Sequence, residues 1–136
     1  MPMNPVAPLD SQASAGRQHP VALIVEDEML VRMVLVDTLM DDGFEVIEAT
    51  SADEALLALN RRDDVDLVIS DVEMPGSING FALARRVAEE RPNIGIIIVS
   101  GRASPQQGDL PEGANFIAKP FYPDTVLTTA NAMIGR

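Results

Sequence analysis

No cysteine occurs in the 136 residues, which excludes disulfides, Cys-ligated zinc and thiol nucleophiles and fits a reducing compartment, taken as the cytoplasm. Histidine occurs once, as His19, so the chain builds no histidine-based site by itself. Basic residues are scarce: 10 Lys and Arg stand against 21 Asp and Glu, a net charge of -11. There is no basic run to track a phosphate backbone, and no nucleic-acid partner is expected. No apolar run is long enough to span a membrane. The opening "MPMNPVAPLDSQASAGRQHP" has neither a basic start nor a continuous apolar stretch, so neither a signal peptide nor a membrane partner is expected. The length suits one domain and leaves no room for an appended output domain.

What is present begins with that opening, whose Pro, Ser, Gln and Ala content buries little. Residues 1–19 are expected to be a flexible tail without a role of its own, and residues 20–136 the folded domain. From Val21 onward two kinds of segment alternate. "VALIV", "EVIEA", "DLVIS", "IGIIIVS" and "NFIA" are short, nearly continuous apolar runs, as strands covered on both faces require. Between them the spacing turns helical. Met29 to about Asp42 carries Val31, Val34, Leu35, Thr38 and Leu39 on one face, with Gly43 placed to cap its C-terminus. Ser51 and Glu54 form a capping box ahead of "ALLAL". "FALARRVAEE" is predicted to end before Arg91-Pro92, because the residue preceding a proline avoids helical geometry. A last helix is predicted from about Asp124 to Ile134.

Strands alternating with helices imply parallel pairing through right-handed crossovers, hence a doubly wound α/β sheet with helices on both faces. For five strands the flavodoxin-like order 2-1-3-4-5 is expected. It makes the first and third strands neighbours and opens a ligand crevice at their carboxyl ends. Glu26 and Asp27 follow the first strand and Asp71 the third, so these acids should meet there. Carboxylates that close together cannot all stay ionised without a cation among them; otherwise one takes up a proton. Oxygen ligands with no His or Cys point to Mg²⁺, which keeps several waters and recruits phosphate oxygens. Capping of a strand end would explain one acid, not a convergent set.

Four features, in order and each at a strand end, carry a resemblance: the pair Glu26-Asp27, Asp71 in "DVEMPG", Ser100 after "IIIV", and "KPF" at Lys119, Pro120 and Phe121. Over about residues 21–135 the chain resembles the receiver domains of two-component response regulators. The resemblance implies that Asp71 accepts a phosphoryl group from a histidine kinase or histidine phosphotransfer protein. It implies Mg²⁺ held by Asp27, Asp71 and the backbone carbonyl of Glu73, with Glu26 acting through a metal-bound water. Lys119 would supply a second cation and Ser100 a hydroxyl that turns toward the phosphoryl group. Lys119-Pro120 would be a cis peptide. Phe116 would be the switch aromatic, although a plain core phenylalanine looks identical in sequence. These residue types suit phosphoryl transfer, which needs an in-line nucleophile and a dispersed positive field more than an acid or base.

The function so implied is that of a cytoplasmic phosphoacceptor signalling through contacts with an unknown downstream protein. It would not be an enzyme in the ordinary sense, though it would promote its own dephosphorylation. Two other readings stand beside it. A Mg²⁺-dependent aspartyl phosphatase of the haloacid-dehalogenase type typically carries a second Asp two residues after its nucleophile, where this chain has Glu73, and needs a cap to exclude water. A phosphorylation-independent binding module would lack the acceptor, and Asp71 is present.

Departures from the family pattern carry expectations of their own. The acidic pair is Glu-Asp instead of Asp-Asp, and in "GSING" after Pro75 the family's glycine, here Gly80, is expected to come one residue later than usual. Glu73 places an acid where it would either repel or orient an attacking water. Gly101 follows Ser100 where alanine is commoner, loosening that loop. In "GRASPQQGDLPEGA", residues 101–114, Ser104, Pro105 and Gln107 resemble a helix start, but Gly108, Pro111 and Gly113 interrupt it. One frayed turn or an irregular loop is expected in place of the family's fourth helix. Finally Met29, Met33, Val36 and Met40 align along the outer side of the first helix, an apolar stripe suited to docking a phosphoryl donor.

Overall fold

Five parallel strands form one sheet in the order β2-β1-β3-β4-β5. They are β1 (Val21–Val25), β2 (Glu45–Ala49), β3 (Leu67–Asp71), β4 (Gly95–Ser100) and β5 (Asn115–Ala118). The helices are α1 (Met29–Asp41), α2 (Ala52–Arg61), α3 (Gly80–Glu90) and α4 (Pro123–Met133). The computed structural model describes residues 19–101 and 104–136; apart from His19, the expected tail lies outside the described residues. The fold class and strand order are those expected, and each element end falls within a residue or two of its expected place. In register, Ala22 lies opposite Leu67 and Val25 opposite Ser70, which brings the residues after β1 beside Asp71 at the end of β3.

Alternation along the inner strands feeds two apolar layers. Leu23, Val25, Val68, Ile96 and Ile98 pack in one layer with Ala55, Leu59, Leu83 and Val87 of α2 and α3. Ala22, Ile24, Leu67, Ile69, Ile97 and Val99 pack in the other with Leu35 and Leu39 of α1 and Val126 and Ala130 of α4. Each buried Val, Leu or Ile among them contributes roughly 1.5–3 kcal/mol by leaving water. The edge strands depart from the expected double coverage. β2 exposes Glu45 and Glu48, and β5 exposes Asn115 and Ala118; polar and charged positions on an edge discourage further pairing.

Local chemistry sets the helix ends. Gly43, at φ +93°, closes α1: its N–H donates to Met40 O and that of Phe44 to Leu39 O, each 3.0 Å, the paired bonds of a Schellman ending. At α2, Ser51 Oγ accepts from Glu54 N at 3.1 Å. The Glu54 carboxylate reaches one residue beyond the expected capping box, accepting from Thr50 N at 2.7 Å. Asn79 caps α3, its side chain accepting from Ala82 N at 2.9 Å. The helix stops at Glu90, ahead of Arg91-Pro92.

Two expectations about faces need correction. Val34, expected against the sheet, is 44% exposed, and Leu30 is 69% exposed. Val36, expected on the outer stripe, is half-buried and packs against the α1–α4 layer together with Val46 of β2. Apolar residues surround α1 on all sides, so spacing alone cannot fix its rotation; the helix lies over β1 and β2 and turns Val36 inward. Met29, Met33 and Met40 are exposed as expected.

Between β4 and β5, the described residues 104–114 contain no helix, as the glycines and prolines imply. Pro105 and Gln107 do not extend into a helical run. Asp109 instead closes a turn, its carboxylate accepting from Gln106 N at 2.7 Å while its own N–H donates to Gln106 O at 3.0 Å. Leu110 and Ala114 pack against the α2–α3 layer.

Candidate functional site

The carboxyl ends of β1, β3, β4 and β5 surround a cleft of about 430 Å³ lined by Asp27, Glu28, Asp71, Glu73, Gly101 and Lys119. Asp71 is the last residue of β3 and is buried. Its Oδ1 accepts from Val72 N at 2.8 Å, which leaves Oδ2 facing Lys119 Nζ at 3.4 Å. Glu26 sits deeper, 1% exposed. Its Oε1 accepts from Lys119 Nζ at 3.0 Å and its Oε2 from Glu28 N at 3.1 Å. Asp27 is exposed at the mouth. One oxygen from each of Glu26, Asp27 and Asp71 lies within 4.8 Å of the others, so the convergence expected from strand order is present.

Electrostatics in this cleft are unbalanced. Burial pushes the Glu26 carboxyl above its ordinary range and the charge of Asp71 adds to this, although the bonds from Glu28 N and Lys119 oppose it. For Lys119, burial pulls downward, but the bond to Glu26 and the charges of Glu26 and Asp71 prevail and hold the ammonium above its usual value. One lysine serves two buried acids while Asp27 and Glu73 add charge at the mouth. Such a site favours a hard cation with oxygen ligands.

Ser100, at the end of β4, is buried and donates to Glu73 Oε1 at 3.4 Å. Its carbonyl accepts from Lys119 N at 2.9 Å, tying the two strand ends together. Lys119-Pro120 is cis, as the resemblance implies. Phe116 is half-buried against the α2–α3 layer. Of the residues expected at the site, Asp27, Asp71, Glu73 and Lys119 line the cleft; Glu26 and Ser100 are buried beside it, bonded to Lys119 and Glu73, and Glu73 stands outside the close carboxylate cluster.

Several supporting groups carry no signal of their role in the sequence. Arg32 donates to Glu26 O at 2.9 Å and pairs with Glu48 at 3.0 Å, fixing the turn that carries the acidic pair. Gly80 approaches the acceptor strand so closely that a Cβ there would overlap the Asp71 carbonyl oxygen and stand 2.9 Å from Val72 Cα. Its N–H donates to Val72 O at 2.9 Å. A glycine opening a helix after the acceptor is visible in the sequence; the backbone it must avoid is not.

A ligand crevice at the switch point of a 2-1-3-4-5 sheet, holding clustered acids and one lysine, defines an α/β phosphate- or cation-binding module. Comparison with known proteins narrows this. The family profile of the response regulator receiver domain matches residues 22–131, and the chain belongs to that family. It is 35% identical over 122 residues to the aerobic respiration control protein ArcA of Escherichia coli, covering 88% of this chain and 50% of that one. It is 40% identical over 118 residues to the sensor kinase CckA of Brucella abortus, covering 84% and 12%. The chain thus spans half or less of these relatives. Among solved structures, the receiver domain of a hybrid histidine kinase CckA superposes with TM-score 0.70 at 31% identity, covering 84% of this chain and 98% of that one. A receiver domain protein from Clostridium thermocellum gives 0.74 at 28%, covering 86% and 95%. Receiver domains are signalling modules, and neither alternative reading is favoured. No helix among the described residues is long and apolar enough to cross a membrane.

Proposed function

We propose that Asp71 is the phosphoacceptor of this receiver, taking its phosphoryl group from a phosphohistidine on a kinase or phosphotransfer protein. The observation that carries the reading is Asp71 Oδ2 at 3.4 Å from Lys119 Nζ, at the end of β3 and beside Glu26 and Asp27. The carboxylate attacks phosphorus, the P–N bond breaks, and the imidazole leaves with the bonding pair. Lys119 orients the transferred oxygens, and Ser100, the residue after the Val99 that pairs with Asp71, would turn its hydroxyl toward the new group.

The donor set fits Mg²⁺: every candidate ligand is an oxygen, and the acids outnumber the cations that face them. Asp27, Asp71 and the backbone carbonyl of Glu73 would hold the ion, with Glu26 acting through a metal-bound water because its own oxygens already accept from Lys119 and Glu28 N. When bound, Mg²⁺ supplies positive charge to the phosphoryl oxygens. The donor would dock on the exposed face of α1, where Met29, Leu30, Met33 and Val34 adjoin an apolar groove of about 550 Å³ completed by Val31, Pro120 and Phe121. Output would run through protein contacts, ended by self-promoted dephosphorylation, with residues 1–19 as an appended tail.

Incubation with a small acyl phosphate tests the assignment. Wild-type protein should gain one phosphoryl group by intact mass only when Mg²⁺ is present, and Asp71→Ala should gain none; equal labelling of that variant would remove Asp71 from the role. Leu30→Glu combined with Met33→Glu should slow transfer from a protein donor and leave small-molecule labelling unchanged.

A further inference from the structure

Residues 72–79 lead from the end of β3 to α3. Both ends are fixed. Val72 N donates to Asp71 Oδ1 at 2.8 Å and Val72 O accepts from Gly80 N at 2.9 Å, while Asn79 caps α3. Met74 and Ile78 pack against the α2–α3 layer. The crest at Pro75, Gly76 and Ser77 is exposed and meets a side chain from another element, Asp53 in the first turn of α2. Asp53 Oδ1 accepts from Ser77 Oγ at 2.7 Å and Oδ2 from Ser77 N at 3.3 Å. Gly76 fits beneath this carboxylate so closely that a Cβ would come within 2.7 Å of Asp53 Oδ2.

Ser51 and Glu54 already cap α2, and both Asp53 oxygens are directed to Ser77. The bonds from the Ser77 hydroxyl and amide hold its carboxyl below the usual carboxylate range, so it remains a charged acceptor at neutral pH. Glu73 lies on the near side of the clasp, lining the cleft with Asp27, Asp71 and Lys119. An exposed loop has conformations to lose on ordering, and a tie at its crest removes slack that would otherwise reach Glu73.

We propose that Asp53 is a positioning residue for the acidic cleft: by clasping Gly76 and Ser77 from α2 it fixes the loop carrying Glu73, and so sets the cleft's affinity for Mg²⁺. The inference rests on the reading that the Glu73 carbonyl belongs to the Mg²⁺ set. It extends the site to a residue outside the acidic cluster, on an element from which no residue lines the cleft.

The test uses the full chain and two readouts: Mg²⁺ titration followed by the backbone amide shifts of Asp27 and Gly101, and the rate of acyl-phosphate labelling at saturating Mg²⁺. Asp53→Ala and Ser77→Ala should each raise the half-saturating Mg²⁺ concentration by roughly three- to tenfold, less than is typical for a direct outer partner of a metal ligand. The double variant should bind no more weakly than Asp53→Ala alone, because Asp53→Ala already removes both bonds whereas Ser77→Ala removes only the hydroxyl one. Labelling at saturating Mg²⁺ should stay within about twofold of wild type, since the tie acts on occupancy of the site. Asp53→Asn, which keeps an acceptor for the Ser77 hydroxyl, should recover part of the affinity. Unchanged Mg²⁺ affinity in both single variants overturns the proposal, as does a loss in Asp53→Ala with none in Ser77→Ala, which would indicate charge acting at a distance. A wild-type chain that binds no Mg²⁺ overturns the underlying reading instead.

Discussion

Neighbouring strands β3 and β4 end at the same cleft, yet the chain leaves them in different ways. After β3 the loop closes on the backbone of Asp71, Asn79 caps, and α3 runs for 11 residues. After β4 the described residues 104–114 form a turn closed by Asp109 and no helix. Apolar content does not explain this, because Leu110 and Ala114 join the same layer as Phe81 and Leu83. Punctuation does. From Phe81 to Arg91 there is neither glycine nor proline, whereas Pro105, Gly108, Pro111 and Gly113 crowd the other connection. A helix must recover its nucleation cost over several turns, and an interior proline costs about 3 kcal/mol. Burial is available to both connections; only one has an uninterrupted run with which to use it.

The sharpest way to break the contrast is Gly80→Ala. The added methyl meets backbone at Asp71 and Val72, which cannot swing aside as a side chain can, so roughly 3–4 kcal/mol of stability should be lost. Glu112→Ala, on the exposed irregular side, should change stability by no more than about 0.5 kcal/mol. Urea unfolding of both variants checks the pair, and equal losses would mean that the approach of α3 to the acceptor strand is slack.

Amide exchange measures the same difference without mutation. Amides in the middle of α3 should exchange at least about a hundredfold more slowly than those of residues 104–110, a gap of roughly 2.7 kcal/mol in local opening. Comparable protection would show that the irregular connection is as cooperative as the helix.

A third measurement sharpens the comparison through the cation. Glu26 holds its proton to higher pH than a free glutamate. Between those values the folded state therefore binds more protons than the unfolded chain, and its stability falls as pH rises through the window. Mg²⁺ should offset that loss. Thermal melts without it should decline as pH rises above the ordinary glutamate range, about pH 4.3, and the gain on adding it should widen over the same span. At tenfold above half-saturation the gain should be roughly 1.4 kcal/mol. It should come with slower exchange in the loop of residues 72–79 and little change in residues 104–110. A Mg²⁺ gain that is flat with pH would argue against the protonation of Glu26.

The smallest expected effect is at the caps. Asn79→Ala removes an acceptor for Ala82 N and should cost about 1 kcal/mol. Ser104→Ala, at the helix start that leads into no helix, should cost nothing measurable by the same assay.

Much of the site was legible because its residues lie at strand ends. An apolar run that stops on Asp71, another that stops before Glu26 and Asp27, and a fifth strand followed by Lys119 are local patterns, and strand order alone carries them to one edge. The breakers in residues 101–114 were equally readable, since proline and glycine act on the backbone where they stand. The rotation of α1 was not. With Leu30, Val31, Val34, Leu35 and Val36 nearly contiguous, every choice of face looks apolar, and Val34 and Val36 were placed on the wrong sides. Gly80 was visible as a glycine but not as a contact, and Asp53 as a helix-opening acid but not as the partner of Ser77.

By itself the sequence determined the alternation of strand and helix, the meeting of Glu26, Asp27 and Asp71 once the 2-1-3-4-5 order is taken, and the lack of a helix across the described residues 104–114; Ser100 and Lys119 entered through the family resemblance. The first and last follow from spacing and backbone chemistry within one segment, the second from the strand order that five alternating units favour. Only the tertiary structure decided that Glu26 is held by Lys119, 93 positions away, that Ser100 meets Glu73 across two strand ends, and that Asp53 reaches over to Ser77. Those contacts depend on how far each helix is rotated and how closely each loop folds back. Packing between elements sets both quantities, and residue spacing along the chain does not encode them.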